Sequence, residues 1–316
     1  MQLLVGGRNQ SLYLATARTE LKMNSVPPTS GKRFSAPVRL FLAAVVLATL
    51  SPRALAHDQP ASLDQGFHLL YNLDFTGAEK QFQEWQGQHP DAPLGPAAEG
   101  AGLLFAEFHH RGILEAQFLS NDDSYKEKNK AAPDPQLSAR LDSVLSRSED
   151  LARKRLATSP QDADALFAMT MVFGLRADYA ALIEKKNLAS IRFSREASTW
   201  AQKLLAVQPD NFDAYLATGM HSYIIGSLAA PWRWVLRLGG YSGDKQKGME
   251  DVERAAQHGR YLAPFGRILL AIAYVRDKDT TRAREMLASL NKDFPQNPLF
   301  SRELQRLDSQ SRASGR

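Results

Sequence analysis

The chain has 316 residues, 44% of them apolar and 23% charged, with 39 basic residues against 34 acidic ones and no cysteine. That composition suits one large folded domain or two ordinary ones. The missing cysteine excludes disulfides, thiolate zinc sites, iron–sulfur clusters, cysteine nucleophiles and a lipid-modified cysteine.

The first element in the chain accounts for the excess charge. Lys32, Arg33 and Arg39 precede an uncharged run from Leu40 to Leu50, and Pro52, Arg53 and the triplet Ala54-Leu55-Ala56 follow it. A basic start, a short apolar run and a small-x-small triplet make residues 32–56 a secretory signal peptide cut after Ala56. Crossing a bilayer takes roughly 20 residues, more than this run supplies. A retained N-terminal anchor is the other reading. Met23 would open a leader of ordinary length, so residues 1–22 read as an over-extended start. Residues 1–56 hold seven basic residues and one acid, Glu20, which leaves 32 basic and 33 acidic residues from His57 onward. A net charge near −1 in an exported chain argues against nucleic acid as a partner. The expected place is the periplasm or the outside of the cell.

From residue 57 to 316 the chain reads as one helical domain built on a repeat. Pro90, Pro160, Pro209 and Pro295 each follow an amphipathic helical run. Twelve residues before them stand Ala78, Ser148, Ala197 and Ala283; twelve earlier again, Gly66 precedes Ala78 and Ala271 precedes Ala283. Ten residues after the first three prolines come Gly100, Thr170 and Gly219. Small residues at these points let two antiparallel helices cross closely, and the proline ends the second helix and turns the chain into the next pair. One pair cannot bury its apolar face alone, so pairs stack.

This pattern resembles the tetratricopeptide repeat, best in residues 264–297 (Ala271, Tyr274, Ala283, Leu287, Pro295) and next in 59–92 (Gly66, Leu69, Ala78, Phe82, Pro90). The tryptophan usual early in the first helix is absent from both. The resemblance implies an all-α solenoid of stacked antiparallel helix pairs with units near 59–92, 93–162, 163–211, 212–263 and 264–297, and a capping helix over 298–312. The middle units are stretched beyond the usual length of about 34 residues. Residues 226–290 also resemble the eukaryotic tetratricopeptide proteins linked to inclusion-body clearance, which implies a non-catalytic adaptor.

Two insertions interrupt the repeat. Residues 119–135 are polar, with two prolines and a charge cluster, and read as an exposed connection between helices near 94–118 and 136–158. Residues 177–208 read as a short turn and one long helix. In the second insertion, Ser227 to Gly248, Pro231 starts a helix that Gly239 and Gly240 end. At about 100° per residue, Trp232, Trp234, Val235, Leu236 and Leu238 fan over about 200°, while Arg233 and Arg237 share the remaining stripe. Such a helix packs between repeats, folds back into the groove, or lies at a membrane interface with its arginines outward.

The first helix of each pair lines the concave face in the family. By that resemblance a partner would meet Phe67, Leu70, Leu104, Phe167, Met171, Met220, Tyr223, Ile272 and Val275. These are mostly apolar and suit an apolar peptide or helix.

No His-Glu-x-x-His, Gly-x-Ser-x-Gly or phosphate-loop motif occurs in the chain. His109 and His110 are adjacent and point about 100° apart on a helix, a poor arrangement for one metal. No catalytic residue, metal ligand or cofactor is expected. The expectation is an exported, non-enzymatic repeat protein that mediates protein–protein interaction or assembly in the cell envelope. The alternatives are membrane-surface association through Trp232–Leu238, and a metal held by the amine and imidazole of a freed N-terminal His57.

Overall fold

A computed structural model of the chain describes residues 61–116 and 133–314, all within the compact unit Gln59–Arg316. The leader, His57 and most of the 119–135 connection lie outside the described residues. Among the described residues the fold is all-helical, and each long helix but one packs on the next along the chain.

The helices fall into five pairs and a final helix. The first pair is α1 (Leu63–Tyr71) and α2 (Phe75–Gln88). The second is α3 (Leu94–His110) and α5 (Pro135–Thr158), with the one-turn α4 (Ile113–Ala116) in its connection. The third is α6 (Ala163–Asp178), prolonged by a π-helical turn at Tyr179–Ile183, and α7 (Asn187–Val207). The fourth is α8 (Ala214–Ser227) and α10 (Lys245–His258), with α9 (Ala230–Leu238) between them. The fifth is α11 (Ala263–Arg276) and α12 (Thr280–Asp293), and α13 (Pro298–Ser314) follows.

Two backbone devices recur along the stack. Pairs one, three and five turn through the same three residues. Asn72, Glu184 and Asp277 end the first helix near φ −80°. Leu73, Lys185 and Lys278 then sit at φ 64°, 61° and 61°. Asp74, Lys186 and Asp279 open the second helix near ψ 75°. A left-handed non-glycine residue costs roughly 1–2 kcal/mol, which the turn offsets with local bonds. Asp74 and Asp279 accept from the N–H groups of Gly77 and Arg282 at 2.9 and 3.0 Å. Pair two begins its turn the same way, at Gly112 (φ 65°), whereas α8 of pair four ends in extended backbone at Leu228 and the left-handed Gly240 (φ 79°) follows the inserted α9. The second device is the exit. His89, Ser159, Gln208 and Phe294, each followed by proline, share φ between −128° and −138° and ψ between 62° and 84°. Proline excludes the preceding residue from the helical region, and all four prolines are exposed. They act on the backbone and not through packing.

The small residues sit where helices cross. Ala78, Ala271, Ala283 and Ser148 are fully buried and Ala197 nearly so. A Cβ on Gly66 would lie 2.3 Å from the Phe82 ring, so the α1–α2 crossing needs glycine there. Ser148 Oγ donates to the Pro93 carbonyl at 2.8 Å, tying α5 to the start of α3. At the α8–α10 crossing the backbones themselves touch: a Cβ on Gly219 would lie 2.8 Å from the Gly248 carbonyl oxygen.

The third pair differs from the sequence reading in one respect. The reading puts a turn at the start of 177–208; instead the first helix runs on through Ile183 and the turn falls at 184–186. Ala163–Ile183 is long and apolar enough to cross a membrane by length and composition, but most of it is buried against its neighbours. A helix sandwiched between α3, α5 and α7 is apolar on every side for that reason.

The stack also curls until its first pair meets its last. Tyr71 Oη donates to the Tyr261 carbonyl at 3.0 Å, and Asn297 Nδ2 donates to the Tyr71 carbonyl at 2.9 Å. Gln296 N donates to Asn72 Oδ1 at 3.2 Å. Arg260 holds Asp64 by two bonds of 2.8 and 2.7 Å, which lowers the Asp64 carboxyl below the usual range. Phe67 and Phe167 stack toward Tyr261 with ring centroids 5.1 and 6.2 Å away, and Phe105 meets Phe265 at 5.3 Å.

Candidate functional site

The inner helices enclose a cavity of about 460 Å³ with a mostly apolar wall. Of the residues expected on a concave face, Phe67, Leu70, Met171, Met220, Tyr223 and Ile272 line it. Leu104, Phe167 and Val275 do not. Leu104 is fully buried among helices, Phe167 packs on Tyr261, and Val275 is half-buried away from the wall. The inner face is thus filled in part by Tyr261 and Phe265, from the connection between pairs four and five and the start of α11, and the remainder is the cavity.

Most polar groups on the wall are occupied. Asp213 accepts from the N–H groups of Tyr261 and Leu262 at 3.0 Å each, although burial holds its carboxyl above the usual range. Asn297 bonds the Tyr71 carbonyl and the Leu299 N–H. Thr170 donates to its own helix at Leu166. Ser194 Oγ lies 3.1 Å from His221 Nδ1. Burial, then the charge of Arg195, hold this imidazole below its ordinary value, so it is neutral near pH 7. Among the described residues no carboxylate bonds His221, so the pair lacks the orienting third group of a nucleophilic site and ties α7 to α8. Arg276 stands exposed at the end of α11.

Asp178 is the exception. It ends the α-helical part of α6, lines the cavity and has no hydrogen-bond or ion-pair partner among the described residues. Desolvation pushes its carboxyl up to about 7. One helical turn earlier, Gly174 lines the same wall, and a Cβ there would meet nothing within 4 Å. Neither residue belongs to the repeat pattern or to a motif in the sequence. Their signal was an acid and a glycine four apart in a mostly apolar helix, where each has a structural cost.

On the outside, α9 is neither packed between repeats nor folded into the groove. Trp232 and Trp234 are 66% and 64% exposed and Leu238 73%, and no residue of the helix is buried. The physical reason lies at its base. A Cβ on Gly226, near the end of α8, would lie 2.3 Å from the N of Lys245, which opens α10. Helices in backbone contact leave no slot for a third, so the chain between them projects outward. Its far end is steadied by Arg195, which reaches the Gly239 carbonyl at 3.4 Å and covers the Tyr241 ring at 4.7 Å. Arg233 and Arg237 are exposed.

Two acids of the run Glu250, Asp251 and Glu253 are engaged by neighbouring helices. Asp251 is buried and accepts from Thr218 Oγ1 at 3.1 Å, and Glu253 accepts from Tyr274 Oη at 2.8 Å. His109 packs against Phe75, and among the described residues no cluster of His, Asp and Glu is arranged to hold a metal. Compared with known proteins, the chain matches no protein-family model and no curated protein.

Proposed function

We propose that this is an exported, non-enzymatic protein of the tetratricopeptide type that mediates assembly in the cell envelope, and that α9 is its docking element. Five helix pairs, four of which turn through a left-handed residue directly after the first helix, and four matching pre-proline exits support a repeat of that type. The leader in residues 32–56 supports export.

The observation that carries the docking role is the exposure of Trp232, Trp234, Val235 and Leu238 on one short projecting helix. A soluble monomer gains nothing from such a patch. Tryptophans beside arginines on an amphipathic helix suit the interface of an anionic membrane, where indole rings sit at headgroup level and guanidinium groups meet phosphate. Exposed Lys247 at the start of α10 adds to the same charge.

Flotation of the chain from residue 57 onward tests this. It should rise with vesicles containing phosphatidylglycerol, less with phosphatidylcholine alone, and not at all once Trp232 and Trp234 are both alanine. Absence of flotation on either vesicle overturns the membrane contact. Crosslinked capture of an envelope protein, lost in the same double variant, would then assign α9 to a protein partner.

A further inference from the structure

We propose that the inner cavity is a binding site for a small organic amine: an apolar body against the Met and Phe wall, with its ammonium group paired to Asp178. The inference stands on three features of α6 that packing does not explain.

The first is the carboxyl itself. Buried acids are paired or hydrogen-bonded as a rule, because desolvating an unpaired one is expensive. Asp178 has neither kind of partner among the described residues. Asp178 is partly exposed, and it lines the cavity. An isosteric asparagine, or an apolar residue, would fold more easily here.

The second is Gly174. A glycine inside a helix is worse than alanine by about 1 kcal/mol. At Gly66 and Gly219 the neighbouring helix demands it; at Gly174 nothing stands within 4 Å of the missing side chain. Residues four apart share a helix face, so this gap opens the space beside Asp178. Ala177 and Ala181, also on the wall, keep the surroundings of the carboxyl small.

The third is the backbone. The helix changes from α to π immediately after Asp178, at Tyr179–Ile183. Such single π turns shift the face that a helix presents and occur often at functional sites.

The remaining wall sets the ligand class. Asp213 already spends its carboxylate on two backbone N–H groups, and Arg276 is out at the exposed end of α11. Among the described residues of the wall, Asp178 is therefore the anionic group left to meet a ligand, and the rest of the wall is mostly apolar (Phe67, Leu70, Met171, Met220, Ile272). A cavity of about 460 Å³ falls within the range of small-molecule sites.

The test uses the chain from residue 57 onward without lipid. N-phenyl-1-naphthylamine, a fluorescent apolar probe, reports occupancy, and octylamine, octanol and octanoate compete with it at pH 8. A charge-assisted hydrogen bond predicts that octylamine displaces the probe at least about tenfold better than either competitor. Asp178→Asn should bind the probe as before but bring the three competitors within about threefold of one another. Gly174→Phe, filling the open space, should abolish probe binding with the helical circular dichroism unchanged. Failure of the probe to bind, equal displacement by octanoate or octanol, or an amine preference that survives in Asp178→Asn would each overturn the proposal. None of these results bears on docking through α9.

Discussion

The wall of the cavity and the outer face of α9 are both apolar surfaces that are not packed away, and they arise in opposite ways. The wall is made mainly by the first helices of successive pairs, at positions the repeat dictates, with side chains of α7, α10 and α13 completing it. The face of α9 is made by an insertion whose two ends are pinched together by α8 and α10. The wall is built into the stack, so changing it changes stability. The α9 face hangs outside the stack, so it can be altered with little effect on the fold. A repeat scaffold therefore separates a stability-bearing surface from a freely variable one within a single unit.

The sharpest probe of that contrast is Asp178. Its folded-state value, about 7, lies above the ordinary carboxyl value of 3.8. The folded chain keeps a proton that the unfolded chain releases, so stability falls as pH rises from about 4 to about 7 and is level above that. Relative to Asp178→Asn, the native chain should lose about 4 kcal/mol across this window, measured by urea unfolding at pH 4 and pH 8. A difference that does not move with pH would place the carboxyl in contact with water.

Next in size is Gly219→Val. The side chain would press on the Gly248 carbonyl and the Val252 backbone, which cannot yield as a side-chain tip would. It should lower unfolding free energy by ~3 kcal/mol. Tyr71→Phe removes the bond to the Tyr261 carbonyl and should cost ~1 kcal/mol, seen as a lower urea midpoint at an unchanged slope. Smallest is the double change of Trp232 and Trp234 to alanine: below ~0.5 kcal/mol. A loss of several kcal/mol there would show that α9 is part of the stack and break the contrast.

Much of the scaffold was legible in the sequence because its determinants are local. Pro90, Pro160, Pro209 and Pro295 stop helices through their own backbone, and Gly66, Ala78, Ala271 and Ala283 mark crossings because only small residues fit. The fate of α9 was not legible, since a helix with a wide apolar arc reads the same whether it is buried or exposed. Backbone contact between Gly226 and Lys245, residues 19 apart, decided it. The cavity was half legible. Periodicity put Phe67, Leu70, Met171, Met220, Tyr223 and Ile272 on one face, but Tyr261 and Phe265 occupy part of it through contacts that span most of the chain. Asp178 looked like any helix-end acid, and its isolation comes from surroundings that no sequence window contains.

The clasp between Tyr71 and Asn297 has a consequence for how the protein assembles. An open array of repeats can begin anywhere and grow by neighbours, each step adding a local interface. Here two hydrogen bonds join residues 190 and 226 positions apart, and closing so long a loop has an entropic cost that is met only once the intervening pairs are in place. Chain entropy therefore places closure of the clasp late in folding. The cavity wall takes Phe67, Leu70 and Tyr71 from one side of that seam and Asn297, Leu299 and Phe300 from the other, so the cavity is complete only once the seam is closed.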